Sequence, residues 1–359
     1  MNVYELLAER RLPELLVMND GTRVETPEQF EKRREEIKHI LESKVYGVIP
    51  PRPDHMQVEV VKEVSTAAGT ATKRELVFHF EMGDDKFSFP ATSVIPNGKE
   101  MLPAFVHINF SSAIPNHYQP TEEIINRGYA VFHFCYTDVT SDDNDFTNGI
   151  APYLCPSRKK SNATSKIAIW AWAAMRVMDY VQTLECIDLD RVAVIGHSRL
   201  GKTALVAGGF DERFKYVISN DSGMGGAAIT RGKIGEDAPA ITRVFPMWFC
   251  PWFIEHAEKA HTLDFDQHFL MALTVPRHLM VGSAEDDVWA DPASEFLGAM
   301  SVNEAYAIYG MRGLVHGDEL PVAPCYLGDG DALYQVRKDG HYLSRRDYNA
   351  YMDFIDSKK

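Results

Sequence analysis

The chain has 359 residues, 45% hydrophobic and 25% charged, a balance that fills a sizeable core and excludes disordered or collagen-like organisation. Its formal net charge of -14, without a cluster of Lys and Arg, excludes nucleic acid as a partner, because phosphate binding draws on concentrated positive charge. No apolar run reaches spanning length, so no membrane partner is expected, and the charged N-terminus MNVYELLAERRLPELL predicts a cytoplasmic protein, or a secreted one if a signal has been removed.

In chain order, TPEQFEKRREEIKHILESKV from Thr26 to about Val45 opens on a capping Thr and repeats apolar residues at helical spacing. It predicts a helix within a peripheral N-terminal segment, residues 1–50, of a single catalytic domain spanning 1–359. The proline-rich connector YGVIPPRPDH follows, and then MQVEVVKEV and RELVFHFEM alternate as half-buried antiparallel strands do. PAFVHINF and GYAVFHFCY are nearly continuous apolar runs, the pattern of parallel strands buried on both faces. The acidic run SDDNDF, Ser141 to Phe146, lacks the full ligand spacing of a calcium loop and reads as a solvated loop.

SKIAIWAWAAMRVMDYVQTL, from Ser165, predicts a helix, and DLDRVAVIGHS a turn running into a strand. Further strands are expected at KYVISND, RHLMVGSA and AYAIYG, with a Ser-capped final helix at SRRDYNAYMDFID. Strand and helix alternate, which predicts an α/β fold: a doubly wound, mostly parallel sheet with an antiparallel N-terminal edge and helices on both faces. The five cysteines are an odd number without a CxxC pair, as free thiols would be.

The sharpest local feature is VAVIGHSRLGKTAL, where a β-branched strand meets Gly196, His197 and Ser198 and a helix follows. A serine on such an elbow projects its hydroxyl at the carboxyl edge of the sheet, beside a helix N-terminus that favours negative charge. The second glycine is Gly201, three residues after the serine instead of two. A plain helix cap is the alternative for Ser198, but a base and an acid in the expected chain order favour a nucleophile. Of thirteen histidines, His341 in the polar loop RKDGHYLS is best placed as base; His256, His261, His268 and His316 suit structural or lining roles. Two acids qualify, Asp221 after YVISN and Asp287 in SAEDDVWADP. Neither HExxH nor GxGxxG occurs, so no metal and no organic cofactor is expected.

These residues resemble the glucuronoyl esterases of carbohydrate esterase family 15, particularly bacterial members, within the α/β-hydrolase superfamily. The likeness runs from Tyr46 onward through GHSRLGKTAL, SGMGGAAITRGKIGE, FDQHFLMAL, SAEDDVWADPASEFL and the terminal RKDGH. A monomer with no other partner is expected, and the resemblance implies hydrolysis of the ester joining the (4-O-methyl-)glucuronic acid carboxyl of xylan side chains to lignin alcohols, or of a short glucuronate ester. It assigns Ser198 as nucleophile, His341 as base, Arg199 to the oxyanion, and Asp221 or Asp287 or both as the acid. Lys202, Glu236 and Trp289 would take the sugar, and VFPMWFCPWF, Val244 to Phe253, would line the alcohol side or fill core. In many fungal members a Cys stands where this chain has His197, and a Glu where it has Asp221. Another esterase specificity, such as xylan deacetylation, and a silent carbohydrate-binding relative are the competing readings.

Overall fold

The computed structural model describes residues 2–358, and its ten strands form one sheet in the order β1-β2-β3-β5-β4-β6-β7-β8-β10-β9. These are β1 His55–Thr66, β2 Ala71–Met82, β3 Asp85–Pro96, β4 Leu102–Asn109, β5 Ala130–Cys135, β6 Ile187–His197, β7 Tyr216–Asn220, β8 His278–Ala284, β9 Cys325–Leu327 and β10 Leu333–Arg337. From β5 through β4, β6, β7 and β8 to β10 every neighbour is parallel, while β1 to β3 and β9 add antiparallel edges. The expected α/β-hydrolase sheet with an antiparallel N-terminal edge is the one observed.

Alternation explains how one strand serves two cores. Ala104, Val106 and Ile108 of β4, with Val192 and Val194 of β6, pack among the aromatic and aliphatic side chains around Trp170 and Trp172. Phe105, Ala193, Ile195, Ile218 and Met280 point to the opposite face and meet Tyr348, Tyr351 and Phe354 of the C-terminal helix. That helix, Arg345–Ser357, starts at a Ser344 capping box, the helix Lys166–Val181 at Ser165, and the helix Pro27–Lys44 at a Thr26 capping box.

Three departures have local causes. DKFSFPATSVIP carries two prolines and no element is predicted for it from the sequence, yet it is β3, pairing with β2 throughout its length and with β5 at its far end. AYAIYG is not a strand: Asn303–Ile308 is a helical turn running on from the helix Pro292–Ser301, and its Ala and Glu content suits a helix better than an edge. LYQVR, with Gln335 and Arg337 in a run of five, becomes β10, and the loop after it carries His341. Among the described residues no helix is long and apolar enough to cross a membrane.

Candidate active site

The carboxyl ends of β6, β7 and β8 and the loop after β10 converge on a cavity of about 370 Å³. Ser198 follows β6 with φ 58° and ψ -128°, a left-handed conformation costly for a residue with a Cβ, and the helix Arg199–Phe210 begins at the next residue. Gly196 makes the turn possible, since a Cβ there would lie 2.0 Å from the Leu200 carbonyl oxygen. Gly201 lets the helix approach β7, where a Cβ would stand 3.0 Å from Ser222 Cβ and 3.1 Å from the Asn220 carbonyl. Gly196→Ala is expected to destabilise the fold by at least about 3 kcal/mol, read as a fall in melting temperature, because the clash is with backbone that cannot rotate away.

His341 Nδ1 donates to Asp287 Oδ2 at 2.6 Å, which leaves Nε2 as the basic nitrogen. Burial raises the Asp287 carboxyl, but the hydrogen bond and charge of His341, with the Ala290 N–H, outweigh it and hold the group below the usual carboxylate range. The ring of His341 is 44% exposed, whereas the Asp287 side chain is almost covered.

Asp221 does not hold the imidazole. Its Oδ2 accepts from Arg337 Nη2 at 2.8 Å, from Asn220 Nδ2 at 3.0 Å and from the Tyr342 N–H at 3.3 Å, while its Oδ1 finds no donor among the described residues. Burial pushes this carboxyl well above its ordinary range, with Arg337 pulling the other way. Arg337 also donates to the carbonyls of Gly340 and Tyr342, on either side of His341. Asp221 therefore fastens the loop that carries His341. His197 lies beneath that loop, its ring centroid 4.5 Å from that of His341 and 5.4 Å from that of Tyr118, and burial first, then the charges of His341 and Arg337, hold it neutral at ordinary pH.

Lys202, Glu236 and Trp289 line the same cavity as Ser198, Arg199, Asp221, Asp287 and His341. Lys202 Nζ lies 3.9 Å from Glu236 Oε2 and donates to the Ser222 carbonyl, and burial pushes its ammonium down to about 8 against the pull of Glu236. Trp289 Nε1 donates to Glu236 Oε1 at 3.1 Å, and the ring is 57% exposed, so a face remains open to a ligand. All eight residues singled out in the sequence thus meet in one cavity.

A family model described as "Glucuronyl esterase, fungi" matches residues 79–313. A carbohydrate esterase of an unknown prokaryotic organism, MZ0003, is 32% identical over 96% of this chain and 89% of its own length. The chain belongs to the glucuronyl esterase family. It is accordingly a carboxylic ester hydrolase, and the likeness to carbohydrate esterase family 15 extends to whole structures. A glucuronoyl esterase from Solibacter usitatus superposes with a TM-score of 0.90 at 30% identity, covering 97% of both chains. A 4-O-methyl-glucuronoyl methylesterase from Schizophyllum commune is 28% identical over 86% of this chain and 76% of its own.

For this family member the acidic run SDDNDF needs correction. Asp143 and Asp145 cap turns at the surface, but Asp142 turns inward to Arg199 and to Trp248 Nε1. Nothing in a cluster of acids marks which one points inward. The stretch VFPMWFCPWF serves both expected purposes: Phe245 and Trp248 line the cavity, stacked at 3.9 Å, while Phe249, Cys250 and Phe253 fill core. The four set-aside histidines do not line the cavity; His268 is buried against the Pro13 carbonyl and His256 stacks on Trp252.

Proposed function

We propose that this esterase cleaves the ester between the carboxyl of glucuronic acid, or its 4-O-methyl ether, and an alcohol, through a serine acyl-enzyme. The observation that carries the reading is the single cavity in which an elbow serine and a histidine-aspartate pair share a mouth with Lys202, Glu236 and Trp289. Its volume suits one pyranose unit. The names borne by the Solibacter and Schizophyllum relatives agree with that acyl group.

In this mechanism Ser198 Oγ attacks the uronate carbonyl as its proton passes to His341 Nε2. Asp287, already bonded to Nδ1, stabilises the imidazolium. The oxyanion forms beside the helix N-terminus, where the Arg199 N–H belongs to the first turn and its guanidinium adds charge. The alcohol leaves with the proton from His341, and water repeats the sequence to release the uronate and restore the serine. Asp221 acts on the position of His341 through Arg337 and Tyr342 and accepts no proton from it. Lys202 and Glu236 hydrogen-bond sugar hydroxyls, and Trp289 covers a pyranose face.

Comparing rates on methyl glucuronate and on acetylated xylose tests the acyl group; faster deacetylation would overturn the uronate reading. The ammonium of Lys202 donates to sugar oxygens only while protonated, and its folded value of about 8 places that loss within the working range. KM is therefore expected to rise as pH passes about 8. Lys202→Met is expected to raise KM about 10-fold to 100-fold at neutral pH and to abolish that rise, since a hydrogen bond to a charged group contributes about 1.5–3 kcal/mol.

A further inference from the structure

The loop from Thr140 to Asn148 is built by its own polar side chains. Asn148 Oδ1 accepts from the Ser141 N–H at 2.8 Å and from Thr140 Oγ1 at 3.0 Å, and Asn148 Nδ2 donates to Ser141 Oγ at 2.7 Å. Buried Lys166 reaches under the loop and donates to Thr140 Oγ1 and to the Asp145 carbonyl, each at 2.6 Å. A stiff loop of this kind fixes the direction of the side chains it carries.

Asp142 is the one it sends inward, toward Arg199. Its carboxylate forms an ion pair with Arg199 Nη1 and accepts from Trp248 Nε1 at 2.7 Å and from Tyr136 Oη at 3.1 Å. The guanidinium of Arg199 lies 4.7 Å from the centre of the Trp248 ring, 5.3 Å from that of Phe245 and 5.9 Å from that of Phe110. One edge of the fork is thus engaged by a carboxylate and its flat sides by rings, while its Nε is buried with no acceptor among the described residues. A free arginine side chain has about 2 kcal/mol of rotamer entropy to lose before it donates anywhere.

We propose that Asp142 is a positioning residue for the reaction: it holds the Arg199 guanidinium in place before the ester arrives, so that the oxyanion meets a donor already oriented. The inference rests on Arg199 serving the oxyanion, as set out above. Asp142 touches no reacting atom and acts through Arg199 alone. A preorganised donor stabilises charge without reorganising at the moment of reaction, so the effect belongs to kcat and not to KM.

A double-mutant cycle on benzyl glucuronate tests this. Arg199→Ala is expected to lower kcat by about 100-fold to 1000-fold, the range for loss of one oxyanion donor. Asp142→Asn is expected to lower it by roughly 10-fold to 100-fold with KM within about twofold, and to cost nothing further in the Arg199→Ala background. Added guanidinium is expected to restore part of the activity of Arg199→Ala but none in the double variant, a readout that general damage to the loop would not produce. Asp143→Asn, in the same loop but facing solvent, is the control and retains wild-type rates. Should Asp142→Asn not fold, Tyr136→Phe gives the graded form, with kcat down about threefold to tenfold and guanidinium rescue weakened in the Arg199→Ala background. Losses that multiply independently, or that fall on KM, would overturn the proposal. Wild-type turnover by Arg199→Ala would remove the oxyanion reading beneath it, a result distinguishable because it needs no change at position 142.

Discussion

Alanine at position 198 is expected to lower kcat on benzyl glucuronate by about 10⁵-fold to 10⁶-fold while leaving the fold intact. The magnitude follows from the division of labour in a serine acyl-transfer site: without the hydroxyl no acyl-enzyme forms, and only binding and oxyanion stabilisation are left. Stability should move the other way. Ser198 occupies φ 58° and ψ -128°, where a Cβ is strained, so Ser198→Gly is expected to gain about 1–2 kcal/mol on a thermal melt even though it is inactive. A rate within about tenfold of wild type for either variant would show that the serine does not attack.

Asparagine at position 287 is expected to lower kcat by about 10⁴-fold with little change in melting temperature, because an amide oxygen and nitrogen no longer hold Nδ1 as the donor. The amide's N–H₂ favours the tautomer in which the proton sits on Nε2, the nitrogen that accepts from Ser198 in the proposed mechanism. Asparagine at position 221 should do the reverse. Its partner Arg337 ends β10, is mostly covered and pairs with Asp347 as well, so neutralising Asp221 removes one of two counter-charges and a charge-assisted hydrogen bond, a loss of about 1.5–3 kcal/mol. Its kcat is expected to fall by about tenfold or less where the variant is fully folded. Paired kinetics and melts on the two variants separate the roles; the larger kcat loss at 221 would exchange them.

Much of this was readable in the chain because local rules and tertiary placement agree. The elbow combines an apolar strand, a small residue and a helix start within fourteen residues, and each of the three capped helices named above carries its own Ser or Thr signal. The illegible parts are those where a neighbour overrides local preference. β3 accepts Pro90 and Pro96 because both lie outside the Thr92–Val94 stretch that pairs with β5, where the strand has a neighbour on one side only, and β10 is held between β8 and β9 despite its polar residues. Asp142 was hidden for the same reason: its direction is set by Lys166, Trp248 and Arg199, which are 24, 106 and 57 positions away in the numbering. The choice between Asp221 and Asp287 was equally beyond reach, since both follow strands of the parallel sheet and only the path of the final loop decides which one meets His341.

Asp287, bonded to His341, and Trp289, the indole proposed to cover the sugar, are two residues apart, and their segment is stitched to the one bearing Glu236. The Glu236 N–H donates to the Trp289 carbonyl at 3.0 Å, the Ile234 N–H to Asp291 Oδ2 at 2.9 Å, and Gly235 sits so close that a Cβ would meet the Val288 carbonyl at 2.4 Å. Protein engineers who exchange either segment to accept a different carbohydrate will therefore also disturb the hydrogen bond between Asp287 and His341. Altered selectivity in this scaffold should come from both segments transplanted as a unit, or from side chains at their tips that leave the shared backbone ladder alone.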